Sequence, residues 1–443
     1  MVLHSKHGRR VAIAVDQPLL AGARRGSDAV TLLTCYLLLL MAIPSSLVVG
    51  SFGAAGQPAA LFAAVLLFWY LIARQHPALG VDRGPQPIRV GAVLFGCAII
   101  AAYVSANRTA MGSLQSNGAD RGLILASGWL AVVLLAADGI DRSDRLAVLL
   151  RRIVFGATAL AVLGAIEFFT GVVLTNYISI PGLAVHEQVT DLMSRAGLVR
   201  AIGTAGQPLE FAAVLTMSLP IAIHQARYAP ASLRRRRWLQ VALIAGAIPM
   251  SVSRSAILGL IVVAIVLCPT LPRRERRRAY LILLASPFIV WLAEPALLTG
   301  FGTLFSQLGT DSSSTSRAQA LSAAGSLIAQ HPWFGQGFQT FFPQAYFFVD
   351  DQYVTTLIET GVVGLLALLA LFGTGWCTAR GVRRVATDAQ TRDLAQALAA
   401  SIAATVIFFA TFDVLSFSIA PGLLFLLLGC IGATRRLATA RAA

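Results

Sequence analysis

What this chain has little of is charge. Only 12% of its 443 residues are Asp, Glu, Lys or Arg, about half the share of a soluble domain. Hydrophobic residues make up 57%, and mean hydropathy is +0.74. That excludes an ordinary globular protein. Acidic residues are the scarcer sign, 20 against 35 basic, for a net charge of +15. No nucleic-acid partner follows from this excess. The basic residues are dispersed through short connections between apolar runs, as topology signals are. Cysteine is sparse too. Cys35, Cys97, Cys268, Cys377 and Cys430 lie in or beside apolar runs, with no CxxC and no Cys/His cluster. They read as small buried apolar side chains, not as a disulfide framework or metal centre. No cofactor or metal is expected, and no nucleotide or P-loop motif is seen. Met1 to Asp28 is basic and polar, without the short apolar core and cleavage site of a signal peptide, so the first apolar run reads as a retained anchor.

What is present is a series of apolar runs. They fall near residues 30–50, 57–73, 89–105, 121–137, 153–175, 207–224, 239–252, 254–269, 279–298, 353–378, 393–413 and 416–433. Each is about the length that crosses a bilayer. The expected fold is all-α: a polytopic membrane protein of about 12 transmembrane helices, forming a single integral domain over 1–443. Arg24 and Arg25 precede the first span and predict a cytoplasmic N-terminus. With alternating spans, Arg74, Arg83 and Arg89, then Arg142, Arg145, Arg151 and Arg152, Arg234 to Arg237, Arg273 to Arg278, and Arg380 to Arg384 all fall on the cytoplasmic side. So does the C-terminus, with Arg435 and Arg436. On this reading those arginines only set orientation in a cytoplasmic membrane.

Two outer connections are long, 176–207 and 299–352, and long loops usually carry function or disorder. The second, between the ninth and tenth spans, is expected to be partly helical. Ser316 and Gln319 have capping-box spacing at the start of Arg317 to Gln330. Leu321, Ala324 and Ile328 share a helical face, and Pro332 fits a stop. The segment reads as a helix on the membrane surface or as a plain connector. Ser312 to Ser316 reads as a flexible stretch.

The residues that could carry chemistry cluster on the outer side. Arg200 stands in Arg200-Ala-Ile-Gly-Thr-Ala-Gly-Gln-Pro208, with Arg195 shortly before it. A guanidinium binds phosphate bidentately and stays charged, and Gly203 and Gly206 would let backbone approach a ligand. The plain alternative is an arginine at the lipid headgroups. Arg254 sits in Ser253-Arg254-Ser255 inside an apolar stretch, where a charge costs roughly 2.5–3.5 kcal/mol at the bilayer centre unless it faces a cavity or partner. Its alternative is a tight turn with a snorkelling side chain. Asp350 and Asp351 close the second loop before Tyr353. A carboxylate there can act as general base, or cap the next helix. Arg317 could add a third cation, and His331 shapes a turn before Pro332. Glu167, Glu210, Glu294, Glu359 and Asp413 all fall toward outer span ends. A transporter would place such groups near the midplane.

Three patches together resemble the O-antigen ligase and O-antigen polymerase superfamily of bacterial membrane proteins. The first is Arg200 to Pro208, followed by Glu210. The second is Ser253-Arg254-Ser255-Ala256. The third is His331-Pro332-Trp333-Phe334-Gly335-Gln336-Gly337, then Asp350-Asp351-Gln352-Tyr353, then Glu359-Thr360-Gly361. The likeness covers roughly 195–365. It implies a glycosyltransferase of the GT-C type, acting outside the cytoplasmic membrane on a polyprenyl-diphosphate-linked glycan. Arg200 and Arg254, assisted by Arg317 or Arg195, match arginines that hold the diphosphate. Asp350 falls where ligases carry a histidine that activates the acceptor, which favours a polymerase-like member or another acceptor. Asp351 replaces an asparagine. Asp351, Tyr353, Glu359 and His331 are candidates for acceptor contact or structural support. Expected partners are the lipid-linked glycan, an acceptor glycan or glycolipid, and the bilayer. The competing readings are a transporter or flippase of lipid-linked glycan, a peptidoglycan-type polymerase, and an inactive scaffold.

Overall fold

The computed structural model describes residues 28–75, 84–108, 111–186, 194–195, 198–297, 302, 312–342 and 346–442. Every expected apolar run carries a helix: α1 (Ala29–Ala42), α2 (Pro58–Gln75), α3 (Pro87–Ala106), α4 (Ser113–Gly139), α5 (Ser143–Thr170), α6 (Pro208–Arg227), α7 (Ala231–Ala247), α8 (Arg254–Leu267), α9 (Arg273–Ala293), α11 (Gln352–Val385), α12 (Ala389–Phe409) and α13 (Ile419–Ala442). Helix α10 (Ser312–Gln330) lies in the second long connection. Among the described residues, eight helices are long and apolar enough to cross a membrane: α2 to α6 and α11 to α13. α1 and α8 are apolar but shorter. α7 and α9 open on arginine runs, Arg234–Arg237 and Arg273–Arg278, that shorten their apolar part. The structure thus supports a polytopic all-α protein, with eight helices among the described residues long and apolar enough to span.

Local chemistry sets the boundaries. Proline opens α2, α3 and α6, where its missing N–H is no loss. Asp28, Asp351 and Asp388 cap α1, α11 and α12 through their carboxylates. Gly171 ends α5 in the left-handed conformation, φ 71°. Helices α6 and α13 form the centre and bury nearly every side chain, Phe211 to Leu215 and Leu423 to Leu428 among them. The outer helices turn Phe68 and Ile72, Phe155, Ile265, Leu284 and Phe288 outward. So much exposed apolar surface fits lipid, not water. Cys35, Cys97 and Cys377 are on that exterior too; the expectation of burial holds for Cys268 and Cys430.

The basic connections do more than orient the chain. Asp138, at the end of α4 and fully buried, accepts from Tyr70 Oη and from Arg89 Nη1, each at 2.7 Å. Arg74 lies 3.6 Å from the same oxygen. Arg436 of α13 donates to the carbonyls of Ala137 and Ile140 that α4 leaves unbonded. Arg227, His224 and Asp393 join the ends of α6 and α12, and Glu275 ties in α9. These clasps gather one end of the bundle. At the other end, β1 (Leu47–Val48) pairs antiparallel with β2 (Ala184–Val185). There Ser45 N donates to the Thr204 carbonyl at 3.0 Å, so the first connection pins the loop that carries Arg200.

Candidate functional site

The Arg200 loop is bonded on three sides. Glu167, buried at the end of α5, accepts from the N–H groups of Ile202 and Gly203 at 3.2 and 2.6 Å. Glu210 accepts from Gly206 N at 2.8 Å with one oxygen. With the other it accepts from Ser418, Ile419 and Ala420 N at 2.6–3.1 Å, capping the first turn of α13. Both glutamates therefore hold backbone. Gly203 has φ +63° and faces Leu160, which a Cβ would meet at 2.5 Å. The left-handed φ favours glycine here, and the residue packs against α5.

The third side joins two patches that the chain keeps 51 residues apart. Arg200 Nε donates to the carbonyl of Ser251 at 2.8 Å, and Ala201 N donates to Met250 O at 3.0 Å. The acceptors lie in the 3-10 turn Ile248–Ser251, immediately before Val252, Ser253 and α8. Val252 adopts φ 46°, ψ 52°, a conformation a β-branched residue takes only when its surroundings enforce it. Arg254 is the first residue of α8 and half-buried. The close joining of the seventh and eighth expected spans is this turn.

The third patch is built around a break in α11. At Gly361 the backbone turns to φ 64°, ψ −167°, and the ladder of helical hydrogen bonds is interrupted. The run His331–Gly337 supplies the missing partners. Val362 N and Val363 N donate to the carbonyls of Pro332 and Trp333, at 2.9 and 3.2 Å, and Gln336 N and Gly337 N donate to those of Ile358 and Glu359, at 3.0 and 2.9 Å. Irregular backbone at membrane depth survives only when other protein groups satisfy it in this way. The fit leaves no room for side chains: a Cβ on Gly335 would lie 2.2 Å from the Glu359 carbonyl carbon, and one on Gly361 2.3 Å from that of Trp333. Glu359 itself is buried and accepts from Phe341 N at 3.3 Å.

Asp350 and Asp351 separate cleanly. Asp351 caps α11, its Oδ1 accepting from Tyr353 N and Val354 N at 2.8 and 3.2 Å. Tyr353 is structural as well, its hydroxyl donating to Val406 O on α12 at 2.9 Å. Asp350 acts electrostatically on Asp413, in the turn between α12 and α13. That meeting has a mechanical cause. Gln352 Oε1 accepts from Leu415 N at 2.7 Å, and Gln339 Nε2 donates to Leu415 O at 3.2 Å, so the α12–α13 turn is held two residues from each aspartate. Burial is the largest cause pushing the Asp413 carboxyl up to about 6, and Asp350 adds to it. Asp413 and Arg121 of α4 both act electrostatically on Glu359. Arg121 was missed in the sequence, although Gly118 and Gly122 flank it. Those glycines let the Phe338–Phe342 backbone lie on α4; a Cβ would come within 2.3 Å of Gln339 O and 2.7 Å of Phe338 O.

The remaining candidates contribute less. His331 sits at the turn after α10, its carbonyl accepting from Gly335 N. Arg195 is in β3 (Ser194–Arg195), paired with β4 (Leu198–Val199), and Arg317 is in α10; their side chains lie outside what is described. α10 begins at Ser312, so Ser312 to Ser316, read as flexible, form its opening turns and Ser316 is not its cap. Its apolar face is divided, with Leu321 exposed and the rest turned to protein. Ala324, with Leu327 and Ile328, packs on Phe341, Val349 and Ile358.

No curated protein matches the chain. A family model described as O-antigen ligase matches residues 239–369. The matched stretch runs from α7 through the break in α11 and takes in Arg254, the His331–Gly337 run, Asp350 and Glu359, while the Arg200 loop bonded to it lies outside. Over those residues the chain is similar to the O-antigen ligase family.

Proposed function

We propose that this protein is a membrane glycosyltransferase of the O-antigen ligase and polymerase kind, moving a glycan from a polyprenyl-diphosphate donor to a hydroxyl of an acceptor glycan or glycolipid on the outer face of the cytoplasmic membrane. The observation that carries the reading is the Arg200–Ser251 hydrogen bond. It fastens a guanidinium from outside the matched domain to the turn that presents Arg254. Arg200 and Arg254 hold the diphosphate, with Arg317 or Arg195 assisting. As the acceptor oxygen attacks the anomeric carbon, the bond from that carbon to the diphosphate oxygen breaks, and the arginines stabilise the charge gathering on the leaving group. Asp350 takes the hydroxyl proton. One displacement inverts the anomeric configuration.

The test is turnover of polyprenyl-diphosphate glycan by membranes holding equal amounts of each variant. Arg254→Ala should cost about 10²–10³-fold, and Asp350→Asn about 10²–10⁴-fold. Normal product from well-expressed variants would remove both assignments. Product analysis after deletion then separates the two chemistries. Shortened but attached chains mean a polymerase, and bare acceptor with accumulated long donor means a ligase.

A further inference from the structure

Helices α5, α6, α12 and α13 run from the candidate site to the opposite end of the bundle. There their ends and the start of α7 line a cavity of about 540 Å³. A cavity of this volume holds a small-molecule ligand. Its lining has two halves. Arg151, Arg237 and Arg441 supply one, and Leu150, Leu394 and Leu437 the other. Among the described residues, none of these three arginines makes an ion pair, and Arg237 is repelled by the like charges of Arg151 and Arg236. The acidic residues in the wall hydrogen-bond to other groups, although Arg441 also acts on the charge of Asp388. Asp144 is held by Arg142 at 2.9 and 3.1 Å, and Asp388 caps α12 through Thr391 N at 2.7 Å. His224 is bonded to Asp393 at 2.7 Å. Gln225, also in the wall, keeps both side-chain amide atoms buried with no hydrogen-bond partner among the described residues. A cavity of converging cations, with a free donor and acceptor beside them, suits an anion that also hydrogen-bonds.

The apolar half identifies its source. Leu233 lines the cavity and is 41% exposed, so the wall continues onto the exterior of α7, next to exposed Trp238 and Leu239. An indole beside a basic segment at a helix end is the pattern of a membrane interface. A soluble anion has no use for that apolar path, whereas an acyl chain follows it. We propose that this cavity is a site for an anionic phospholipid, its headgroup phosphate among Arg151, Arg237 and Arg441 and its first acyl carbons along Leu233 and Leu150. The site is independent of the glycosyltransferase reading.

The test uses the full chain in phosphatidylcholine nanodiscs, with and without phosphatidylglycerol, and counts retained lipid by native mass spectrometry. Phosphatidylglycerol should be retained over phosphatidylcholine. Each arginine removed should lower that retention about five-fold. Arg441→Gln, at the exposed end of α13, decides the matter without threatening the fold, and R151Q/R237Q/R441Q extends it. Arg277→Gln, exposed on α9 away from the cavity, should change nothing. Equal retention of the two lipids, unchanged retention in R441Q, or equal loss in R277Q would overturn the proposal. So would displacement of phosphatidylglycerol by millimolar inorganic phosphate, which would make this a free-anion site.

Discussion

Of two adjacent aspartates, Asp351 caps α11 and Asp350 is the proposed base, a difference that is testable residue by residue. The Asp351 carboxylate is spent on the first turn of α11; asparagine caps a helix as well as aspartate does. Asp351→Asn should therefore keep both melting temperature and turnover, while Asp350→Asn loses turnover alone. Asp413 sets the pH behaviour. Its carboxyl is pushed up to about 6 by burial and then by Asp350. Below that pH Asp413 holds a proton, and above it Asp413 adds a negative charge to the site where the proposed proton transfer takes place. Turnover should rise as pH passes through about 6, and Asp413→Asn should flatten that limb. The stability sign is opposite. A carboxyl raised from 3.8 to about 6 on folding favours the folded state at low pH, and that contribution is lost as pH rises through the folded value. Thermal melts of Asp413→Asn above pH 6 should exceed wild type; a lower melt there would mean the carboxylate is needed as an ion. In the sequence, Asp350 and Asp351 were visible as a pair. The choice between cap and base was not, because both roles use the same side chain and only the neighbouring N–H groups distinguish them.

At the scale of elements, the His331–Gly337 run and Glu359-Thr360-Gly361 are two halves of one hydrogen-bonded unit. The sequence shows both as glycine-marked patches, and it shows α10 between Arg317 and Pro332 by its periodicity. It does not show that each patch satisfies the backbone of the other, since that pairing spans more than twenty residues and no side-chain pattern encodes it. The consequence is a sharp contrast between glycines. Gly335→Ala forces a left-handed φ of +68° and a backbone collision at 2.2 Å, and should cost roughly 1–3 kcal/mol or more. Gly373→Ala, in the same helix with nothing within 4 Å, should gain a few tenths of a kcal/mol up to about 1 from helix propensity. Detergent melts that place the two variants together would show that the break in α11 is not held by this loop.

The whole molecule is a bundle with two chemically distinct ends. At one, glutamates and aspartates meet backbone N–H groups and arginines; at the other, arginines meet helix-end carbonyls and Asp138. Arg89→Ala leaves a buried carboxylate short of its closest cation, and breaking such a pair costs about 3–5 kcal/mol, to be read as a lowered melting temperature that Asp138→Asn partly restores. Orientation follows from charge. A cysteine placed at Phe348, exposed beside Asp350, should react with an impermeant maleimide from outside intact cells, and one at Arg441 only after permeabilisation. The reverse pattern would put the candidate site on the cytoplasmic side.

Composition and periodicity alone determined that this is a helical membrane protein, where its helices fall, and which arginines and carboxylates stand apart from the topology signals. Those are one-dimensional properties: apolar length must match the bilayer, and charge within an apolar run is costly wherever the run packs. Tertiary structure alone decided which of those groups were already engaged. Glu167, Glu210 and Asp351 are occupied by backbone N–H groups, Arg200 is fastened to the turn before Arg254, and Asp413 is brought to Asp350 by two glutamines gripping Leu415. A side chain's hydrogen-bond partners are set by distance in space, and between helices that distance depends on packing the chain order does not record.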